Sequence, residues 1–373
     1  MRIGIELTGA LPGGGFRRYT EELLGALGRL PPDHEYFLYG VFWRGFPERA
    51  RTLRVPQGKN FHWALKRFPQ GLLFPLEEWT NIRYQERIFS GLSLDLVHGL
   101  GSMVPRLDRL KSVVTLHYAR WKYERLWEKF YFERLTERSV RQANKVIAIS
   151  EFSRQEALKT WNLPPEKIAV VHHGDPGPLF RPSAEKRDPM PGVVRPYFLF
   201  VGGLVSQKNP ALLAEAFGLL RSRHPDWPHR LVFAGPLSGE LPRVRAILKR
   251  WNALDFAVFT GPVAQERIYA LYQQAEAVVC PSPVEGFAFP ALEAMACGAP
   301  VIGVHAGALV ETIAQAGLLP EPEPEAVAMA MERIVTEEGL REDLARRGLD
   351  RARDFSWDET SRKTVAIYEE VGR

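Results

Sequence analysis

The fold is decided by one stretch, Cys280 to Val304, which reads C-P-S-P-V-E-G-F-A-F-P-A-L-E-A-M-A-C-G-A-P-V-I-G-V. A short apolar run, Ala277 to Val279, leads into it and ends at Pro281 and Pro283. Pro290 then opens a compact helical pattern that Gly298 closes, and a second apolar run begins at Val301. Proline inside a helix start and glycine past its end are the usual punctuation. The stretch reads strand, loop, helix, strand, with Glu285 in the loop and Glu293 on the helix. Ala291, Leu292, Ala294, Met295, Ala296 and Cys297 surround Glu293, so its helix is apolar nearly all round and reads as buried. A carboxylate there is costly unless it is paired or hydrogen-bonded. Two readings stand: a Glu on a narrow exposed stripe or bonded to nearby amides, or a polar group lining a ligand cleft. Open α/β folds bind ligands at the carboxyl ends of their strands.

Outward from this stretch, apolar runs alternate with helical patterns in both directions. Strands are expected at Arg2–Leu7, Glu35–Phe42, Leu94–Val97, Ser112–Leu116, Lys145–Ile149 and Ile168–Val171 in the first half. The second half restarts at Tyr197–Val201 and continues through Leu231–Ala234, Ala257–Phe259, Ala277–Val279 and Val301–Val304. Alternation of this kind argues for parallel sheets with right-handed crossovers. Six prolines between Pro176 and Pro196 interrupt the pattern. The expected organisation is a first α/β domain over 1–175, a linker over 176–196 and a second α/β domain over 197–355. The segment 356–373 is expected to form a helix packing back on the first domain. At 373 residues two cores are the default.

Composition narrows the function classes. No apolar run approaches the length of a spanning helix. The first residues, Met1 to Leu7, resemble a strand and not a signal peptide. Two cysteines, Cys280 and Cys297, both in apolar context, favour a reducing compartment. A cytoplasmic protein is expected, peripheral at the inner face of the membrane. Residues 1–190 hold 30 Lys+Arg against 21 Asp+Glu, a balance of +9, and the remainder hold 19 against 23, a balance of −4. A basic half suits an anionic partner, such as an anionic membrane or a phosphorylated acceptor; a generally Arg-rich composition is the alternative. No zinc-finger spacing or RNA-binding signature is present, so nucleic acid is not expected.

Two further stretches carry chemistry. Gly9 to Gly15 is glycine-rich and leads into a helix from about Phe16 to Leu30, an arrangement that sets free amides against an anion. The order is not G-x-G-x-x-G, and a plain surface loop is the alternative. Residues 59–90 interleave Phe61, Trp63, Phe68, Phe74, Trp79, Tyr84 and Phe89 with lysines and arginines. They read as amphipathic helices, which lie on an anionic membrane, form an acceptor groove or simply pack as core.

Glu285-Gly286-Phe287-Ala288-Phe289-Pro290 through Glu293 and Gly298 resembles the Glu-x7-Glu signature of GT-B glycosyltransferases of glycosyltransferase family 4. Gly14-Gly15-Phe16-Arg17-Arg18-Tyr19, Ser150-Glu151-Phe152-Ser153, Pro165-Glu166-Lys167-Ile168 and Val201-Gly202-Gly203 with Lys208-Asn209 add to the resemblance, which is mannosyltransferase-like. It implies two Rossmann-like doubly wound α/β domains facing a cleft. It implies retaining, metal-independent transfer of a hexose, mannose or glucose type, from a nucleoside diphosphate sugar, GDP- or UDP-linked, with no cofactor. The acceptor would be a glycan or lipid-linked hydroxyl in envelope polysaccharide or glycoconjugate synthesis.

The resemblance assigns roles by position. Glu285 contacts the donor sugar and steadies positive character at the anomeric carbon; Glu293 accepts from the ribose. Lys208 neutralises the diphosphate. Gly286, the amides of Phe287 and Ala288, and Phe289 form the phosphate loop. Gly14 and Gly15 approach from the opposite domain, and His117 lines the sugar pocket. Gln207, Gly203, Tyr118, Ala288 and Phe289 depart from the family's usual residues, and Arg17 stands where many relatives carry glycine. Arg17 is therefore expected to supply a diphosphate cation lost at Gln207. A sugar-nucleotide epimerase or phosphorylase, a two-lobed receptor and a catalytically silent subunit are the competing readings.

Overall fold

The structure, a computed structural model, describes residues 1–7, 14–42, 52–67, 80, 83, 86, 89–118, 126–182, 190 and 192–373. The chain divides into two compact units, Met1–Gly174 with Ser356–Arg373, and Asp175–Phe355.

The first unit is built on a seven-stranded sheet in the order β3-β2-β1-β4-β5-β6-β7. The strands are β1 (Arg2–Glu6), β2 (Glu35–Phe42), β3 (Phe61–Arg67), β4 (Leu96–Gly99), β5 (Lys111–Leu116), β6 (Lys145–Ala148) and β7 (Ile168–Val170). All neighbours pair in parallel. Parallel strands are covered on both faces and so read as continuous apolar runs. Ile3, Ile5, Leu96, Val97, Val113 and Val114 accordingly show no exposure. The strand order reverses between β1 and β4, the position at which such sheets open a crevice.

Residues 59–90 depart from the helical expectation. Phe61–Arg67 is an edge strand paired with β2 from Tyr36↔Phe61 to Phe42↔Arg67. Phe61, Trp63 and Leu65 alternate with His62, Ala64 and Lys66, a period of two that suits a strand. Cross-strand rings reinforce the pairing: Tyr36 stacks on Phe61 at 4.9 Å and Phe37 meets His62 at 4.9 Å. Phe89 is buried against Tyr39. Phe68, Phe74, Trp79 and Tyr84 lie outside the described residues.

The Trp357–Gly372 helix belongs to the first unit. Its Thr360 hydroxyl donates to the His172 carbonyl at 2.8 Å, and Asp358 pairs with Arg29 at 2.7 Å. The backbone of Gly174 lies so close to Trp357 that a Cβ there would meet its backbone nitrogen at 2.3 Å.

The second unit carries a five-stranded parallel sheet in the order β10-β9-β8-β11-β12. Here β8 is Tyr197–Val201, β9 Arg230–Ala234, β10 Ala257–Gly261, β11 Ala277–Cys280 and β12 Val301–Gly303. The order reverses between β8 and β11. The proline-rich residues after Gly174 fall within this unit: Phe180 is buried and meets Tyr272 edge-on at 6.1 Å, and Val193 is buried too. Among the described residues no helix is long and apolar enough to cross a membrane.

Candidate active site

The reversal between β8 and β11 sets two loops side by side. After β8 the chain makes a short turn, Ser206–Lys208, then enters the Pro210–Arg223 helix. After β11 it runs through Pro281–Ala288 into the Phe289–Ala296 helix. Two helix starts, each with its positive dipole end, therefore face the carboxyl edge of the sheet. Ser282 ties the loops together by donating to the Gln207 carbonyl at 2.8 Å and to the Val284 carbonyl at 3.2 Å.

Lys208 and Glu285 meet directly, Nζ to Oε1 at 2.6 Å, with side-chain exposures of 28% and 7%. Glu285 is held from below. Its carbonyl accepts from the Ala308 amide at 3.0 Å, and the Phe287 carbonyl accepts from the Thr312 hydroxyl at 2.6 Å. Gly307 makes this possible: at φ +58 its backbone approaches Glu285 so closely that a Cβ would sit 2.9 Å from the Glu285 nitrogen. Burial pushes the Cys280 thiol, at the end of β11, up to about 12, with the Glu285 carboxylate adding to the shift.

Glu293 is the buried carboxylate that the sequence makes conspicuous. Its Oε2 accepts from the Tyr272 hydroxyl at 2.7 Å, so the charge is hydrogen-bonded inside an apolar helix. Burial, then the Glu293 carboxylate, raises the Tyr272 hydroxyl well above its ordinary value, which keeps it a donor. The helix start is unusual. Ala288 adopts φ +67, ψ 54, a left-handed conformation that favours glycine. The far end is conventional: Gly298 at φ +73 donates to the Met295 carbonyl and Ala299 to that of Ala294, a Schellman closure. Phe287 is buried between Phe289 at 5.2 Å and Phe355 at 5.5 Å.

His117, Gly14, Gly15 and Arg17 lie in the first unit. Gly14 begins the Gly14–Leu27 helix, and a Cβ at Gly15 would meet nothing within 4 Å. The Arg17 guanidinium donates to Glu21 Oε1 at 2.9 Å and to the Thr52 carbonyl, while Glu21 also accepts from Arg54. His117 follows β5. Its Nε2 lies 2.9 Å from the Leu100 carbonyl, so the proton sits on Nε2, and burial lowers the ring to about 4. Rings enclose it: Phe16 at 5.2 Å and Tyr19 at 5.0 Å, both edge-on, and His173 at 5.6 Å. Beneath it runs a polar chain in which Tyr19 reaches Thr115 at 3.0 Å, Thr115 reaches His98 at 2.8 Å, and His98 reaches Tyr368 at 2.6 Å.

Sequence reasoning thus named both partners of the ion pair and the buried carboxylate. It passed over Tyr272, Thr312, Gly307 and Ser282. Tyr272 sits at helical spacing from Tyr269 and Ile268 and reads as core; Gly307 lies in an ordinary loop between Ala306 and Ala308. Only the fold brings them under Glu285 and Glu293.

Residues 185–351 match the family model of glycosyl transferases group 1, and residues 13–174 that of glycosyltransferase family 4. The O-antigen chain mannosyltransferase B of Escherichia coli is 27% identical over 80% of this chain and 78% of that protein. The D-inositol 3-phosphate glycosyltransferase of Acidothermus cellulolyticus is 30% identical over 62% of this chain, which spans 54% of the relative's length. The Anabaena protein Alr3699/HepE, solved in complex with UDP and glucose, superposes with a TM-score of 0.75 over 99% of this chain and 100% of that one, at 17% identity. Two doubly wound parallel-sheet units with these neighbours define the GT-B architecture. The chain belongs to glycosyltransferase family 4.

Proposed function

We propose that this glycosyltransferase moves a hexose, of mannose or glucose type, from a GDP- or UDP-linked sugar to a hydroxyl of a glycan or lipid-linked acceptor, with retention and without a metal. The carrying observation is the Lys208–Glu285 pair at the strand-order reversal of the second sheet. It sets one cation for a departing diphosphate beside one carboxylate for an electron-poor sugar carbon. In the transition state the bond from the anomeric carbon to the diphosphate oxygen breaks, and its electron pair stays with the phosphate. Lys208 and the amides of Gly286, Phe287 and Ala288, with Phe289 packing behind them, answer that charge, and Glu285 answers the positive carbon. Glu293, held by Tyr272, takes the ribose hydroxyls. The acceptor oxygen then bonds the carbon and passes its proton to the departing phosphate oxygen.

In the first unit, His117 is neutral near pH 7 and its Nε2–H is committed to Leu100. Its role in the sugar pocket is therefore to accept a hydrogen bond at Nδ1. Gly14 and Gly15, at the start of the Gly14–Leu27 helix, are the first unit's proposed phosphate-binding residues. Arg17 can add a cation only by exchanging Glu21 for phosphate. The Escherichia coli relative, a mannosyltransferase, favours a mannose donor and an envelope glycan, and the UDP and glucose of the Anabaena protein favour a UDP-linked one. The basic first half suits work at the inner, anionic face of the membrane from the cytoplasm.

A thermal-shift screen against ADP, GDP, UDP and their common sugars is expected to give one clear stabilising pair. With that donor, Glu285→Ala is expected to lower transfer about 100-fold or more. A wild-type protein with neither transfer nor donor hydrolysis, and no change on substitution, would instead mark a silent subunit.

A further inference from the structure

We infer that Glu285 is a built-in competitor of the leaving diphosphate for Lys208, and that this contest makes the site prefer a sugar nucleotide to the sugar-free nucleotide. The inference rests on the donor-site reading above and extends it to product release.

Three observations lead there. The two charges already neutralise each other at 2.6 Å in the ligand-free chain. Neither backbone is free to withdraw. Ser282 bridges the two loops through the Gln207 carbonyl, the turn before Lys208 is closed by its own amide on the Val205 carbonyl, and Ala308 and Gly307 hold Glu285. Finally, the carboxylate is almost wholly shielded, so water cannot readily replace Lys208 as its partner.

A diphosphate arriving at Lys208 therefore competes with a carboxylate already seated on that cation at 2.6 Å. An intact sugar nucleotide brings hydroxyls within reach of Glu285 and makes good the lost hydrogen bond. A sugar-free nucleotide brings only more negative charge. Once the hexose has left with the acceptor, Glu285 retakes Lys208 and the diphosphate loses its cation. The same pair thus favours the substrate on entry and expels the product afterwards, with no covalent step and no titration.

The test is a double-mutant cycle by calorimetry. Dissociation constants are measured for ADP, GDP and UDP, and for GDP-mannose and UDP-glucose, on the wild type, Glu285→Gln, Lys208→Met and the double variant. Glu285→Gln keeps side-chain length and Lys208→Met falls one atom short of it, and unfolding midpoints check that each variant folds. Glu285→Gln is expected to bind the cognate nucleoside diphosphate about tenfold more tightly, because a full cation is released to it, while the sugar nucleotide binds no tighter. In the Lys208→Met background the same change is expected to gain less than about threefold, since there is no cation to release. Equal gains in both backgrounds would reveal plain repulsion between carboxylate and phosphate and overturn the inference. So would the absence of any gain beside normal wild-type binding, which would leave the donor site itself standing. No binding of any nucleotide to any of the four proteins would remove the donor site and the inference together.

Discussion

At the candidate site of the second unit the polar chemistry is ionic, whereas the rings packed about His117 in the first unit are neutral. Lys208 and Glu285 meet at 2.6 Å, and Glu293 is a carboxylate that accepts from the Tyr272 hydroxyl. Around His117 the groups are imidazoles, phenols and a threonine, packed ring on ring and linked through shared protons. A site made of ions depends on single contacts, and each loss is large and local. A site made of neutral rings spreads its dependence over many contacts and becomes sensitive to protonation as a group.

The largest expected effect tests that contrast directly. Lys208→Met should lower the initial rate of sugar transfer by about 100- to 1,000-fold, the range for losing one group that faces developing charge. Tyr19→Phe removes only the hydroxyl on Thr115 and should cost less than about tenfold. Comparable losses in the two variants would erase the distinction.

Acid should reverse the ranking. Burial lowers His98 to about 3 and His117 to about 4, and His173 well below its ordinary value, each led by desolvation. Their folded values lie below the unfolded one, so between about pH 3 and 6.5 the unfolded chain binds protons that the folded chain refuses. Stability is then independent of these groups above about pH 6.5 and falls below it, by up to about 1.4 kcal/mol per pH unit for each histidine. In the second unit His229 is lowered as well, again mainly by burial. Hydrogen exchange between pH 7.5 and 5 should accordingly show protection falling faster in β4 and β5 than in β8 and β11. Equal decline would locate the acid-sensitive groups elsewhere.

The two smaller effects sharpen the picture of the second unit. Tyr272→Phe takes the hydroxyl from the buried Glu293 carboxylate and should destabilise by about 1.5–3 kcal/mol in urea unfolding, as for other hydrogen bonds to charge. Ala288→Gly relieves a left-handed alanine at φ +67 and should stabilise by about 0.5–1 kcal/mol, seen as a small rise in Tm.

How far the sequence could be read follows the same divide. The buried strands were legible because a parallel strand is a continuous apolar run, Glu293 because a charge in an apolar helix stands out, and Glu285 through the signature it shares with Glu293. Lys208 was legible through the resemblance of Lys208-Asn209 to the family's pattern. The strand Phe61–Arg67 was misread because aromatics mixed with bases fit an amphipathic helix over a longer window, although Phe61, Trp63 and Leu65 recur at a period of two. The ring cluster was harder still. His98, Thr115, Tyr19 and Tyr368 are scattered from residue 19 to residue 368, and a neutral histidine at a strand end looks like any core residue. Tyr272 and Gly307 act only through contacts that close after the fold is formed.

The return of the last helix to the first unit has a consequence for synthesis. Residues 1–174 cannot complete their core until Tyr368 reaches His98 and Trp357 covers Gly174. The second unit is contiguous and is fully translated first. At bacterial and eukaryotic elongation rates the early strands wait roughly 10–40 s for the closing helix. The part of the enzyme made first is the last to be finished, and during that interval it is the segment most in need of a chaperone.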